Sequence, residues 1–210
     1  MARRLFVGMA ALLAVTACGA GESARAAPPT TLHVTILGRA ADPRVPAVRE
    51  ALGHWNAAAA RLGLAVRFDS GTLVSGPLPE DALRATGRAM PWRALGVMRL
   101  RTALAGVPGD VVIALSRAEL ISFGVTTGTG RVGVIALRPA DRRPLSLPNT
   151  TRNVVAHELG HVLGLEHNAD STTLMCGRPA LCRPTAFASD RAHFFPLTAR
   201  DEQALRERWR

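Results

Sequence analysis

The 210-residue chain carries 26 basic and 16 acidic residues for a formal charge of +10, and 48% of it is hydrophobic. All the basic residues are arginine, scattered with neither a basic run nor interleaved aromatics, which argues against a nucleic-acid partner. Three Trp, six Phe and no Tyr supply too little aromatic surface for a sugar-binding or adhesion module.

Met1-Ala2-Arg3-Arg4 is a short basic head before the apolar run Leu5 to Ala17. That run is too short for a stable membrane span and has the flanks of an export signal. Val15-Thr16-Ala17-Cys18 resembles a bacterial lipobox, in which Cys18 is lipidated and becomes the first mature residue; the alternative is cleavage after Ala24-Arg25-Ala26. The expected organisation is a lipoprotein-type signal over 1–17, a flexible tether over 18–29 and one domain over 30–210, long enough for a sizeable core. The expected location is the bacterial cell envelope, with membrane attachment through Cys18, or alternatively the periplasm or the medium. Loss of the signal leaves 24 basic against 16 acidic residues, a charge of +8. Such a surface can favour acidic substrates or anionic envelope polymers.

Thr31 to Leu37 is rich in β-branched and apolar residues and predicts a first strand closed by Gly38. Asp42 predicts a helix N-cap with Pro43 at the first helical position. Val45, Val48, Leu52, Trp55, Ala59 and Leu62 recur at spacings of three and four, and Gly63 ends that helix. His54 lies on or near its apolar stripe and reads as structural. Leu64 to Phe68 predicts a second strand, parallel to the first across the helix. Pro79 to Thr86 fits a short helix, and Gly96 to Leu104 fits a helix or a strand equally. Asp110 to Leu115 and Val132 to Leu137 predict buried strands, the latter preceded by the loop Gly124 to Gly130.

A helix capped by Asn149, Thr150 or Thr151 is expected next. It contains His157-Glu158-Leu159-Gly160-His161, which places His157 and His161 one turn apart on one face, able to reach one ion. Glu158 projects roughly 100° away from His157, where it can act on bound water without being a ligand. Gly164 can turn the chain out of the helix and return it toward the metal, making His167 a third ligand. Three neutral nitrogens with an open position suit catalytic zinc; structural zinc usually has four protein ligands.

The stretch 157–167 resembles the zinc signature of the metzincin metalloproteases, most like the matrixins and, as second choice, the archaemetzincins. The resemblance implies an α+β or α/β zincin domain: a twisted mixed sheet with an N-terminal helix, a zinc-site helix and a C-terminal helix. It implies Zn2+ on His157, His161 and His167, Glu158 as general base, Met175 as the apolar floor of a Met-turn, and peptide or protein substrates. Also implied are an edge strand that holds extended peptide and a substrate-pocket wall over Ala180 to Pro196. The chain departs from the astacin and serralysin pattern in having no Met-turn tyrosine, and Asn168 stands where matrixins often have Ser. The expectation is a monomeric zinc endopeptidase; the alternative is an envelope lipoprotein that keeps zinc as a binding module without cutting.

With Cys18 lipidated or removed, Cys176 and Cys182 are the two cysteines left in an oxidising compartment, so a disulfide between them is expected. Free thiols are the other reading. Thr198-Ala199-Arg200-Asp201 predicts a capping-box start for a closing helix that runs to about Trp209.

Overall fold

The computed structural model describes residues 28–88, 94–126, 133–141, 143, 145–177 and 192–210. The export signal, Cys18, Cys182 and most of the expected pocket wall lie outside them. The elements in chain order are β1 (Thr30–Leu32), β2 (Val34–Leu37), α1 (Arg44–Leu62), β3 (Val66–Phe68), β4 (Thr72–Val74), α2 (Glu80–Arg88) and α3 (Ala94–Ala103). There follow β5 (Val111–Leu115), β6 (Phe123–Thr126), β7 (Gly133–Leu137), α4 (Pro148–Val162) and α5 (Ala199–Arg208).

The first expected strand divides at His33. Asp110 causes the break: its carboxylate accepts the His33 backbone N–H at 2.8 Å, and its own N–H donates to the His33 carbonyl at 2.8 Å. β1 therefore pairs with β3 in a two-stranded parallel sheet, while β2 enters a five-stranded sheet of order β4-β2-β5-β7-β6. β4, β2, β5 and β7 are parallel, and β6 runs antiparallel to β7.

Both faces of this sheet are covered, which is why β5 and β7 read as unbroken apolar runs. Val111, Ile113, Leu115, Ile135 and Leu137 pack with α1, α4 and Leu205 of α5. Their alternates Val112, Ala114, Val134 and Ala136 pack against Leu83 of α2 and Leu100 of α3. The period of two along each strand thus builds two cores from one sheet. α3 settles the ambiguous stretch as helix. No helix among the described residues is long and apolar enough to cross a membrane.

Three local expectations are corrected. α1 begins one residue late, with Pro43 in the cap position at φ −65° and ψ −11°. Asp42 still accepts the free Arg44 N–H at 3.0 Å, so its capping role survives the shift. α4 is entered through Leu147 in extended conformation with Pro148 in the first turn, not through Asn149, Thr150 or Thr151. Proline fits there because it has no N–H to leave unsatisfied. The polar residues turn inward instead: Thr151 donates to the Leu145 carbonyl at 2.7 Å, and the Asn149 side chain accepts the His193 N–H at 3.2 Å. Finally, part of the expected loop after Phe123 is strand β6.

The closing helix matches its capping box, Thr198 accepting the Asp201 N–H at 3.1 Å while the Asp201 carboxylate accepts the Thr198 N–H at 2.9 Å. α1 and α4 cross in direct contact, fixed by the buried Trp55 indole donating to the Ala156 carbonyl at 2.9 Å. His54 stacks on Phe194 at 4.1 Å between ring centroids, away from the site below, in keeping with a structural role.

Candidate metal centre

α4 presents His157 and His161 on one face. The helix then stops because Gly164 adopts φ +97°, a left-handed conformation that side-chain-bearing residues rarely take. Its N–H caps the His161 carbonyl at 3.0 Å and the Leu165 N–H returns to the Gly160 carbonyl at 2.9 Å. That turn brings His167 back beside the helix. The three Nε2 atoms stand 3.1 Å (His157–His161), 3.0 Å (His161–His167) and 3.2 Å (His157–His167) apart.

The Nδ1 atoms of His157 and His161 lie 2.7 Å from the Leu174 carbonyl and 2.8 Å from the Leu165 carbonyl. A carbonyl only accepts, so both Nδ1 atoms carry the proton and both Nε2 atoms are bare lone pairs. Burial, followed by the His161 charge, pushes His157 down to about 3, and burial also lowers His161. Neutral imidazoles with lone pairs converging at 3 Å repel unless a cation lies between them. The donor set therefore fits a metal ion, and these three residues could hold one.

Glu158 leaves α4 toward β6 and is buried. Burial pushes its carboxyl up to about 8, with a hydrogen bond from the Gly124 N–H pulling the other way. A cation held by the histidines would lower it by direct attraction. A Cβ at Gly124 would lie 2.5 Å from the Glu158 carbonyl oxygen, so glycine is what lets β6 come this close to α4.

Beneath the histidines, Met175 is fully buried, and the space a Cβ on Gly160 would take is bounded by its Sδ at 2.5 Å. Met175 is therefore packed under the helix that carries His157 and His161. The loop from His167 to Met175 is tied at its base, with the Asn168 N–H donating to the Met175 carbonyl at 2.9 Å and the Gly177 N–H to the Asn168 carbonyl at 3.1 Å. The Asn168 side chain also donates to Asp201 at 3.2 Å and accepts from Thr173 at 3.0 Å. Cys176 is disulfide-bonded.

A cleft of about 820 Å³ opens over this cluster, lined by β6, Glu158, His161, the turn Gly164 to His167, and Arg208. Residues 130–194 match the matrixin family model, and the fold resembles that of an archaemetzincin from Methanopyrus kandleri. That likeness has a TM-score of 0.50 at 19% identity and covers 86% of this chain and 95% of that one. The chain has a metzincin-like fold. A metalloproteinase-II from Bacteroides fragilis is similar at TM-score 0.49 and 16% identity, over 88% of this chain and 54% of that one. A zinc-dependent peptidase from Methanocorpusculum labreanum is similar at TM-score 0.43 and 17% identity, over 84% and 100%. No curated protein matches the chain.

In this metzincin-like domain the structure brings together the residues singled out by motif: His157, Glu158, His161, His167 and Met175. Cys182 and Cys18 lie outside the described residues. The motif reading missed the Gly124 N–H on Glu158, the Asn168–Asp201 tie and Arg208 in the cleft wall. Only the glycine in a threonine-rich stretch beside a strand carried any signal for the first of these.

Proposed function

We propose that the chain is a zinc-dependent endopeptidase in which His157, His161 and His167 hold the ion and Glu158 is the general base. The observation that carries the reading is three imidazole Nε2 atoms within 3.2 Å of one another beside a buried carboxyl. The ion, when bound, supplies Lewis-acid polarisation of a peptide carbonyl and acidifies a water. The Nδ1 hydrogen bonds to Leu174 and Leu165 hold the two α4 imidazoles in the tautomer that leaves Nε2 free for a metal. Glu158 accepts the proton of the attacking water on a carboxylate oxygen and returns it to the departing amine nitrogen. The Gly124 N–H orients that carboxylate.

β6 is the outermost strand on its side of the sheet among the described residues. That edge position supports an extended peptide as substrate, held by strand addition along the cleft. The proposal includes a disulfide between Cys176 and Cys182, which would brace the loop beside the ligands. It includes export with Cys18 as a lipid anchor and a monomeric domain.

The test is mass spectrometry of a diverse peptide mixture incubated with protein lacking Cys18, beside a chelator control. Internal cleavage that the chelator abolishes and added zinc restores is expected. A protein that holds one zinc per chain and cuts nothing would refute the reading and favour a silent zinc-containing lipoprotein.

A further inference from the structure

We propose that Arg208 is a specificity residue whose guanidinium selects a carboxylate on the bound peptide; the proposal rests on the peptidase reading above. The two ends of the cleft differ in chemistry. At the start of β6 the wall is apolar, with Val97 and with Ile121 58% exposed. At the other end Thr126 lies opposite Gly133 in the sheet, and a Cβ on Gly133 would meet Val162 at 2.6 Å. The Thr126 end of β6 therefore runs alongside the end of α4, which leads directly to the turn at Gly164.

Arg208 comes from α5, far away in sequence, and lies across that turn. A Cβ on Gly164 would sit 2.8 Å from its Cδ, 2.9 Å from its Nε and 3.0 Å from its Cζ. The adjoining Trp209 indole donates to the Leu163 carbonyl at 2.9 Å and pins the end of α5 to the same turn. Arg208 is exposed, but its stem lies against this turn, which reduces part of the ordering cost of using its head group in binding. Arg206 and Arg61 are both paired with Glu202. Arg208 has no carboxylate within 4.0 Å among the described residues, and its guanidinium carbon lies 5.8 Å from the centre of the Trp209 ring. Glu166 shares the cleft wall but is not paired with it.

A planar guanidinium, held in a cleft wall with its donors unspent, matches a carboxylate through two parallel N–H···O bonds. On a peptide that group is an Asp or Glu side chain. It would belong to the stretch of substrate lying beyond Thr126.

The experiment uses peptide pairs that differ only in Glu or Gln, scanned through about four positions on each side of the cut. The zinc-loaded wild type should show a Glu-over-Gln ratio of kcat/KM of about three- to tenfold at one position, a scale set by an accessible charge-assisted contact. Arg208→Ala should bring the ratio to about one, Arg208→Lys should keep part of it, and Arg208→Glu should reverse it in favour of the Gln peptide. The ratio should fall as salt rises from about 0.05 to about 0.5 M. The same pairs are titrated by fluorescence anisotropy against Glu158→Gln protein, alone and combined with Arg208→Ala, so that Kd is read without cleavage. Equal values for Glu and Gln peptides at every position, or a preference that Arg208→Ala leaves intact, would overturn the assignment. A Glu preference in Kd that depends on Arg208, in a protein that cuts nothing, would uphold Arg208 and sink the peptidase reading. Cleavage indifferent to Glu would do the reverse.

Discussion

Replacing Gly124 with alanine would put a methyl group 2.5 Å from the Glu158 carbonyl oxygen, 3.1 Å from its carbon and 3.2 Å from its Cα. All three atoms belong to the backbone of α4, so no side-chain rotation can relieve the contact. β6 and α4 must separate by at least about 0.5 Å to reach the 3.0 Å that real Cβ atoms respect. Overpacking of this sort costs about 1–3 kcal/mol. At about 2–4 °C per kcal/mol for a domain of this size, the melting temperature should fall by about 2–12 °C. The same retreat stretches the Gly124 hydrogen bond to the Glu158 carboxyl. Since a misplacement of about 1 Å costs on the order of 100-fold in rate, half of that should lower kcat/KM by about tenfold. Zinc content should be unchanged, because no ligand touches Gly124. Differential scanning fluorimetry, elemental analysis and steady-state hydrolysis give the three readouts. Gly53→Ala is the control: a Cβ there meets nothing within 4 Å in mid-α1, so it should stabilise by about 0.5–1 kcal/mol. Wild-type melting and full kcat/KM in Gly124→Ala would refute the close-approach argument.

His167→Ala removes one of three convergent nitrogens and should release zinc on dialysis, and retention of one zinc per chain by elemental analysis would count against it as a ligand. Trp55→Phe loses the indole bond to the buried Ala156 carbonyl and should destabilise by about 1–3 kcal/mol in urea unfolding; a change under about 0.5 kcal/mol would show that this bond does not lock α1 to α4. Burial, with a smaller push from Arg61, holds His54 below its ordinary value of 6.5. Its contribution to stability is therefore complete above that value and is lost as pH falls from there through the folded-state value. His54→Phe should flatten that part of the melting profile in acid, and an unchanged profile would contradict the assignment.

The histidine cluster was readable from residues 157–167 because its spacing along a helix and turn decides which side chains share a face. α1, β3, β5, β7 and α5 were readable for a similar reason, their apolar period or cap being local. β6 was not. Phe123-Gly124-Val125-Thr126 has too few apolar residues to register as a strand, and its glycine serves a contact with Glu158 some 34 positions later. The break at His33 depends on Asp110, and the entrance of α4 on Pro148 with Asn149 and Thr151 turned to distant partners. Arg208 is an exposed arginine on the last helix, and nothing in its local sequence marks it out. Only the turn at Gly164 and the return of α5 over it place that side chain in the cleft wall.

The central claim is that Glu158 moves the proton while the three histidines hold the ion. The most direct measurement is kcat/KM of Glu158→Gln against wild type on one cleaved peptide, both proteins carrying one zinc per chain and melting alike. The account predicts a loss of about 100-fold or more, the scale of general acid–base catalysis. Turnover within a few-fold of wild type at equal zinc content would contradict it.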